Sequence, residues 1–292
     1  MHGWTVSTIT AFAWALAPLL AFGFAGSWIC EVCNRLPVAL RLTFPVVLGI
    51  PYIIACASNL HASWLVLYLL LPIVVAALLW SAARGNPQQN GDWRDFLVLL
   101  ILGLAVDLRW FDSAWPRQLR MLNKLVLLDF CLYGFLVIRQ LTNVGFDLKL
   151  RVRDLVIGLR ETLFYAPIAV PLGLALGFLH GHAGLPSAGR AAGVFCFTFF
   201  FIALPEEIYF RGWIQNLLSR RIGRDASLLI TAAIFGLSHF NRRAAGHFNW
   251  RYVLLAAIAG IFYGRAWRQE NRIGASAITH ACVDSIWVLW LR

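Results

Sequence analysis

Charge is what this sequence has least of. Asp, Glu, Lys and Arg make up 13% of its 292 residues, about half the usual share in soluble domains. Hydrophobic types make up 60%, and mean hydropathy is +0.70. So few charges exclude an ordinary water-soluble surface, and the chain reads as an integral membrane protein. Acidic residues are scarcer still, 14 against 25 basic ones, for a formal net charge of +11. In a soluble protein that excess would raise nucleic acid as a partner. Here the basic residues sit mainly between apolar segments, as loops meeting anionic headgroups do. The partner implied is a lipid bilayer, with no nucleic acid.

Other absences narrow the reading. Cys30 and Cys33 form a lone CxxC just after the first apolar segment. With no second pair and no thioredoxin-like context, it does not point to a redox or metal site. Most of the remaining cysteines lie within apolar runs, where the side chain packs as a small hydrophobe. No Lys or Arg precedes the first apolar stretch, which is too long for the core of a cleavable signal. It is expected to be a first spanning helix. Neither end carries a lipidation motif. No internal repeat is found, and a transporter reading would call for one.

What is present is a series of apolar segments near the 20 residues needed to span a bilayer. They fall at 5–29, 38–58, 62–82, 93–111, 119–141, 156–179, 191–217, 226–240, 250–268 and 273–291. The expected fold is all-α, a polytopic membrane bundle of eight to ten transmembrane helices. Residues 143–154 alternate apolar and charged types, which predicts a short interfacial strand or an amphipathic segment. The domain boundary is placed there, with a transmembrane region of unassigned role over 1–145 and the chemistry-bearing domain over 146–292. Trp4, Trp28, Trp93, Trp110, Trp250 and Trp267 lie near span ends, as an interfacial belt would. Asp107 with Arg109, Lys124 with Asp129, and Arg160 with Glu161 are expected to be interfacial or paired. His2, His61, His180, His182 and His247 fall near segment ends or in loops, where solvation is cheap.

Three segments nonetheless place polar groups at membrane depth, where a charge costs about 2.5–3.5 kcal/mol on insertion scales. The first is Leu204-Pro-Glu-Glu-Ile-Tyr-Phe-Arg-Gly212, at the end of a Phe-rich run. Glu207 and Arg211 are four apart and share a helical face in the favourable order. Glu206 points about 100° away from Glu207, so Arg211 neutralises one carboxylate and leaves the other for a different task. Pro205 removes a backbone donor just before the pair and is expected to open the helix. The second segment ends at His239, and the third carries His280 and Asp284, again four apart. A carboxylate and imidazoles converging in a dry cavity form a set able to activate water and stabilise an oxyanion.

These residues resemble the CAAX protease and bacteriocin-processing (CPBP, or Abi) family of intramembrane endopeptidases. Glu206-Glu207-Ile-Tyr-Phe-Arg211-Gly212 matches its EExxxR signature, Phe235-Gly-Leu-Ser-His239 its FxxxH motif, and His280-Ala-Cys-Val-Asp284 its HxxxN/D motif, in the family's order. The resemblance covers roughly 146–292. It implies a glutamate protease in which Glu206 and His239 activate water. Glu207 and Arg211 would hold the helix end and tune Glu206, and His280 with Asp284 would polarise the scissile carbonyl. The last position is usually Asn in the eukaryotic prenyl-protein members. An amide donates to an oxyanion and an ionised carboxylate repels it, so Asp284 either is protonated and donates or orients His280 instead.

Two Glu, two His and one Asp are also types that ligate zinc. No HExxH is present, the histidines come from different helices, and the resemblance favours a metal-free mechanism with no cofactor. The substrate implied is a membrane protein or peptide, and the location a bacterial inner membrane. A non-catalytic immunity or scaffold protein of the same fold, a zinc-dependent protease using these residues, and a proton-coupled transporter are the competing readings.

Overall fold

The computed structural model describes residues 6–57, 60–182, 184–240 and 248–291. Among them the chain is helical and has no strand. We number ten helices: α1 Val6–Asn34, α2 Val38–Ala55, α3 Ala62–Gly85, α4 Trp93–Asp107, α5 Arg117–Ile138, α6 Val152–Ala175, α7 Ala188–Ile222, α8 Arg224–Leu237, α9 Trp250–Glu270 and α10 Ile273–Trp290. Seven of these, α1–α3, α5–α7 and α10, are long and apolar enough to cross a membrane. Helices α4 and α8 are shorter, and α9 is long enough but more polar. The protein is thus an all-α polytopic helical bundle. In a bilayer this follows from the backbone, since every N–H and C=O must be satisfied within its own segment.

The chain divides into two compact units, Met1–Thr142 and Asn143–Arg292. In the first, α5 is largely buried and packs against α1, α2, α3 and α4. Its polar interior is hydrogen-bonded. Trp115 Nε1 donates to Tyr68 Oη (2.7 Å), and Tyr68 donates to Asn123 Oδ1 (2.6 Å). Arg139 donates to both oxygens of Asp95 (2.8 and 3.1 Å) with both side chains buried. Asp129 differs. It is buried and neither carboxylate oxygen has a hydrogen-bond partner. The expected pairing with Lys124 is not made, because five helical residues turn the two side chains about 140° apart.

In the second unit, α10 packs on α6, α7 and α9, and α8 lies along α9. Small residues permit that closeness, as is common between membrane helices. A Cβ on Gly236 would stand 2.6 Å from the carbonyl oxygen of Val253, and one on Gly260 3.0 Å from Cα of Ala232. Of residues 143–154, for which a short interfacial strand or an amphipathic segment was anticipated, 152–154 open α6 and 143–151 form no strand; they run as an irregular segment held to the α9–α10 turn. Ile273 N donates to Gly145 O (2.9 Å) and Trp267 Nε1 to Val144 O (3.2 Å). Arg272 donates to Asp154 (2.8 and 2.9 Å), to Asp147 (2.6 and 3.0 Å) and to Lys149 O (3.0 Å). Hydrogen bonds to Asp154 and then Asp147 raise the Arg272 pKa above its ordinary value. Trp267 is therefore a buried strut and not part of an interfacial belt, whereas Trp28, Trp93, Trp110 and Trp250 are exposed. Trp4 lies outside the described residues.

Candidate active site

The site is built on the middle of α7. Leu204–Glu207 is one α-helical turn between two π-helical stretches, Phe199–Ala203 and Ile208–Gln215. Pro205 does not interrupt the helix as anticipated: Leu204 (φ −58°, ψ −49°) and Ile208 (φ −59°, ψ −47°) are both helical. Proline offers no N–H to the preceding turn, and the wider ladder on either side carries the backbone past it. Such π-helical insertions recur at functional sites. Glu206, Glu207 and Arg211 are all buried here.

Glu207 is the hub. Its Oε1 accepts from Arg211 Nη1 (3.1 Å) and His280 Nδ1 (2.8 Å). Its Oε2 accepts from the Ser276 hydroxyl, which also lies 2.9 Å from Tyr263 O. Arg211 Nη2 donates to Gly260 O (3.0 Å), and the guanidinium lies over the rings of Phe235 (4.7 Å) and Tyr263 (5.4 Å). A buried charge left alone would be costly. Here cation, carboxylate and aromatic faces compensate one another, and α7, α8, α9 and α10 are fastened at one point.

His280 occupies the centre of the constellation. With Nδ1 on Glu207, its Nε2 stands 3.6 Å from Asp284 Oδ2 and 3.9 Å from Glu206 Oε2. Tyr263 stacks on the imidazole (4.5 Å between centroids, 16° between planes), and Phe235 meets it edge-on at 5.6 Å. The ring thus has its plane fixed by packing and its tilt fixed by Glu207. The 3.9 Å between Nε2 and Glu206 Oε2 exceeds a direct hydrogen bond.

His239 follows the last turn of α8. Its Nδ1 lies 2.8 Å from Phe235 O, so Nδ1 donates and Nε2 is the accepting nitrogen of the neutral ring. It is buried between Phe235 and Tyr252, each 4.8 Å away. His239, His280 and Asp284 line one cleft of about 690 Å³, including its open mouth, walled by apolar and aromatic residues of α6, α8, α9 and α10 such as Tyr165, Tyr252 and Trp287. Asp284 is the most exposed of the set, with 24% of its side chain accessible.

All six residues singled out from sequence lie in the second unit. Glu206, Glu207, Arg211, His280 and Asp284 form one connected cluster, and His239 shares the cleft. Among the described residues no three or more His, Cys, Asp or Glu side chains converge as a metal-binding group. Sequence reasoning missed Ser276, Tyr263 and the carbonyl of Gly260. Ser276 carried a signal, being four residues before His280 on the face that also bears Asp284; Tyr263 and Gly260 carried none. Arg160 and Glu161 are paired as anticipated (2.9 Å), and Glu161 also accepts from Arg265 of α9 (3.1 Å). His61, His180 and His182 are exposed, while His2 and His247 lie outside the described residues.

Residues 188–286 match the family model described as Type II CAAX prenyl endopeptidase Rce1-like. The match runs from the start of α7 into the last turns of α10 and contains all six candidate residues. No curated protein matches the chain, and no solved structure does.

Proposed function

With residues 188–286 belonging to the CAAX protease family, we propose that the protein is an intramembrane endopeptidase whose general base is Glu206. The observation that carries this reading is the contact set of His280. Its Nδ1 is held by Glu207, and its Nε2 lies 3.6 Å from Asp284 and 3.9 Å from Glu206, which sets Glu206 beside the imidazole without a direct bond to it. A water held beside Glu206 gives that carboxylate a proton as the water oxygen attacks the scissile carbonyl carbon. The tetrahedral oxyanion is received by the N–H of His280 Nε2, and Glu206 passes the proton to the departing amine as the C–N bond breaks. Water is consumed, and one carboxyl and one amine product form.

Glu207 and Arg211 act at one remove. Arg211 compensates Glu207, and Glu207 fixes the orientation of His280. Asp284, 3.6 Å from His280 Nε2, serves as an acceptor that aims the imidazole and not as an oxyanion donor. His239 shares the cleft, and its accepting Nε2 serves the reacting water. The cleft's apolar wall suits a substrate segment that is itself apolar, from a membrane-associated protein or peptide. A bacterial inner membrane is the location proposed, and the reaction as drawn uses no metal.

The test is cleavage of a membrane-tethered reporter peptide by purified protein in liposomes. Glu206→Gln is expected to abolish turnover while His280 and Glu207 keep their contacts. Undiminished turnover in both Glu206→Gln and His239→Ala would refute the protease reading.

A further inference from the structure

The proposed mechanism gives the oxyanion one donor, the N–H of His280 Nε2, and Asp284 also lies 3.6 Å from that nitrogen. Oxyanion holes are built from preorganised donors aimed at one point, and each is worth about 10²–10³ in turnover. His239 Nε2 and Asp284 accept, so neither fills the second place. Arg211 is turned away, to Glu207 and Gly260. The wall of the cleft that the mechanism leaves unused is α6. Of its lining residues, Thr162, Tyr165, Ala166, Ala169 and Val170, two carry a hydroxyl. That of Thr162 donates to Gly158 O (2.9 Å). Tyr165 remains.

Helices α6 and α10 run side by side in the same direction, which fixes the level of Tyr165. A Cβ on Gly158 would stand 2.6 Å from Ile278 Cγ2 and 3.1 Å from Ala275 O. One turn on, Thr162 lies against Cys282. Past the ends of both helices, His180 N donates to Leu291 O (3.0 Å). The two helices thus advance in step, and Tyr165 comes level with Asp284 and Ser285. Long side chains on a helix lean toward its N-terminus, which from Asp284 is the direction of His280.

Phe262 of α9 meets the Tyr165 ring nearly edge-on (5.7 Å between centroids, 66° between planes) and restrains it. Among the described residues the Tyr165 hydroxyl makes no hydrogen bond. Asp284 is the charged group that acts on it most strongly, which sets it at the reacting end of the cleft. A hydroxyl placed in an apolar wall without a partner is unfavourable. A developing oxyanion supplies that partner.

We propose that Tyr165 is a catalytic residue whose hydroxyl is the second donor to the reacting carbonyl oxygen. The inference rests on the protease reading of the same site. The phenol keeps its proton throughout; it donates a hydrogen bond as negative charge gathers on the oxygen and relaxes when the C–N bond breaks.

The test uses the full-length protein in liposomes with the membrane-tethered reporter peptide. Tyr165→Phe keeps the ring and removes the hydroxyl. Its kcat is expected to fall about 10²–10³-fold, with KM within about threefold of wild type and the melting midpoint unchanged. A peptide aldehyde, whose hydrate mimics the tetrahedral intermediate, should bind Tyr165→Phe about 10²-fold more weakly than wild type. The uncleaved peptide should bind equally with and without Tyr165→Phe in a Glu206→Gln background. Turnover of Tyr165→Phe within about threefold of wild type, with Glu206→Gln inactive, would overturn the inference and leave the protease reading standing. Undiminished turnover in both Glu206→Gln and His239→Ala would remove the reading beneath it. A loss that disappears when Asp284→Ala is also present would make Tyr165 a partner of Asp284 and overturn the donor role. If Tyr165→Phe does not fold, 3-fluorotyrosine in place of Tyr165 supplies a more acidic phenol of nearly the same size. Turnover is then expected to rise, and unchanged turnover would overturn the inference.

Discussion

Glu206 and Glu207 are neighbours in sequence, but their surroundings assign them different work, and single substitutions should separate them. Glu207→Gln leaves Arg211, fully buried, without its counter-ion and loosens His280 and Ser276. It should cost about 3–5 kcal/mol of stability as well as activity. Glu206→Gln should instead lower turnover by about 10²–10⁴-fold and leave the melting midpoint near that of wild type. Thermal unfolding in detergent alongside reporter cleavage distinguishes the two. At Asp284 the acceptor role predicts that Asn, whose carbonyl also accepts, stays within about tenfold of wild type. Ala should fall further, to the 10²–10³-fold loss expected when an imidazole loses its positioning partner. A gain in turnover for Asn would mean that Asp284 opposes the oxyanion directly.

Among the elements, α10 and the irregular segment 143–151 do the most to place the site. Gly145 has φ +72°, and a Cβ there would stand 1.6 Å from the carbonyl oxygen of Asn271. Gly145→Ala is expected to destabilise the protein by about 1–3 kcal/mol, measured as a lowered unfolding midpoint. It should also reduce cleavage, because the turn it anchors begins the helix that carries His280. Gly236→Ala touches no reacting group, yet its Cβ would press on the backbone of α9 at 2.6 Å. His239 follows three residues later. Lower turnover with little change in substrate affinity is expected, since a displaced imidazole affects the reaction more than binding.

For the whole molecule, seven helices capable of crossing a bilayer predict that the protein stays in the membrane pellet through alkaline carbonate extraction, assayed by fractionation. Active protein exhaustively treated with chelator is expected to keep its activity; stoichiometric zinc retained with that activity would sink the metal-free mechanism. In the first unit, Asp129→Asn should be neutral or mildly stabilising, because no partner is lost. Arg139→Ala should cost about 3–5 kcal/mol by stranding the buried Asp95.

Much of this was legible in the amino-acid order alone. A chain with so few charges has one class of solvent open to it, and in that solvent only helices or closed barrels satisfy the backbone. Residues four apart on one helix share a face, so the Glu207–Arg211 and His280–Asp284 pairings followed from spacing. Spacing carries no information between helices. That His280 Nδ1 binds Glu207, that Ser276 and Tyr263 brace the site, and that Gly260 lends a carbonyl to Arg211 depend on which helices pack together. The Lys124–Asp129 pairing failed on helical period itself, which turns the two side chains apart; the interfacial role of Trp267 failed because tertiary packing sets what lies on each helix face. The fold class and the identity of the polar residues were settled by composition and period. That Glu207 is the carboxylate that takes His280 and Ser276 was settled only when the helices met.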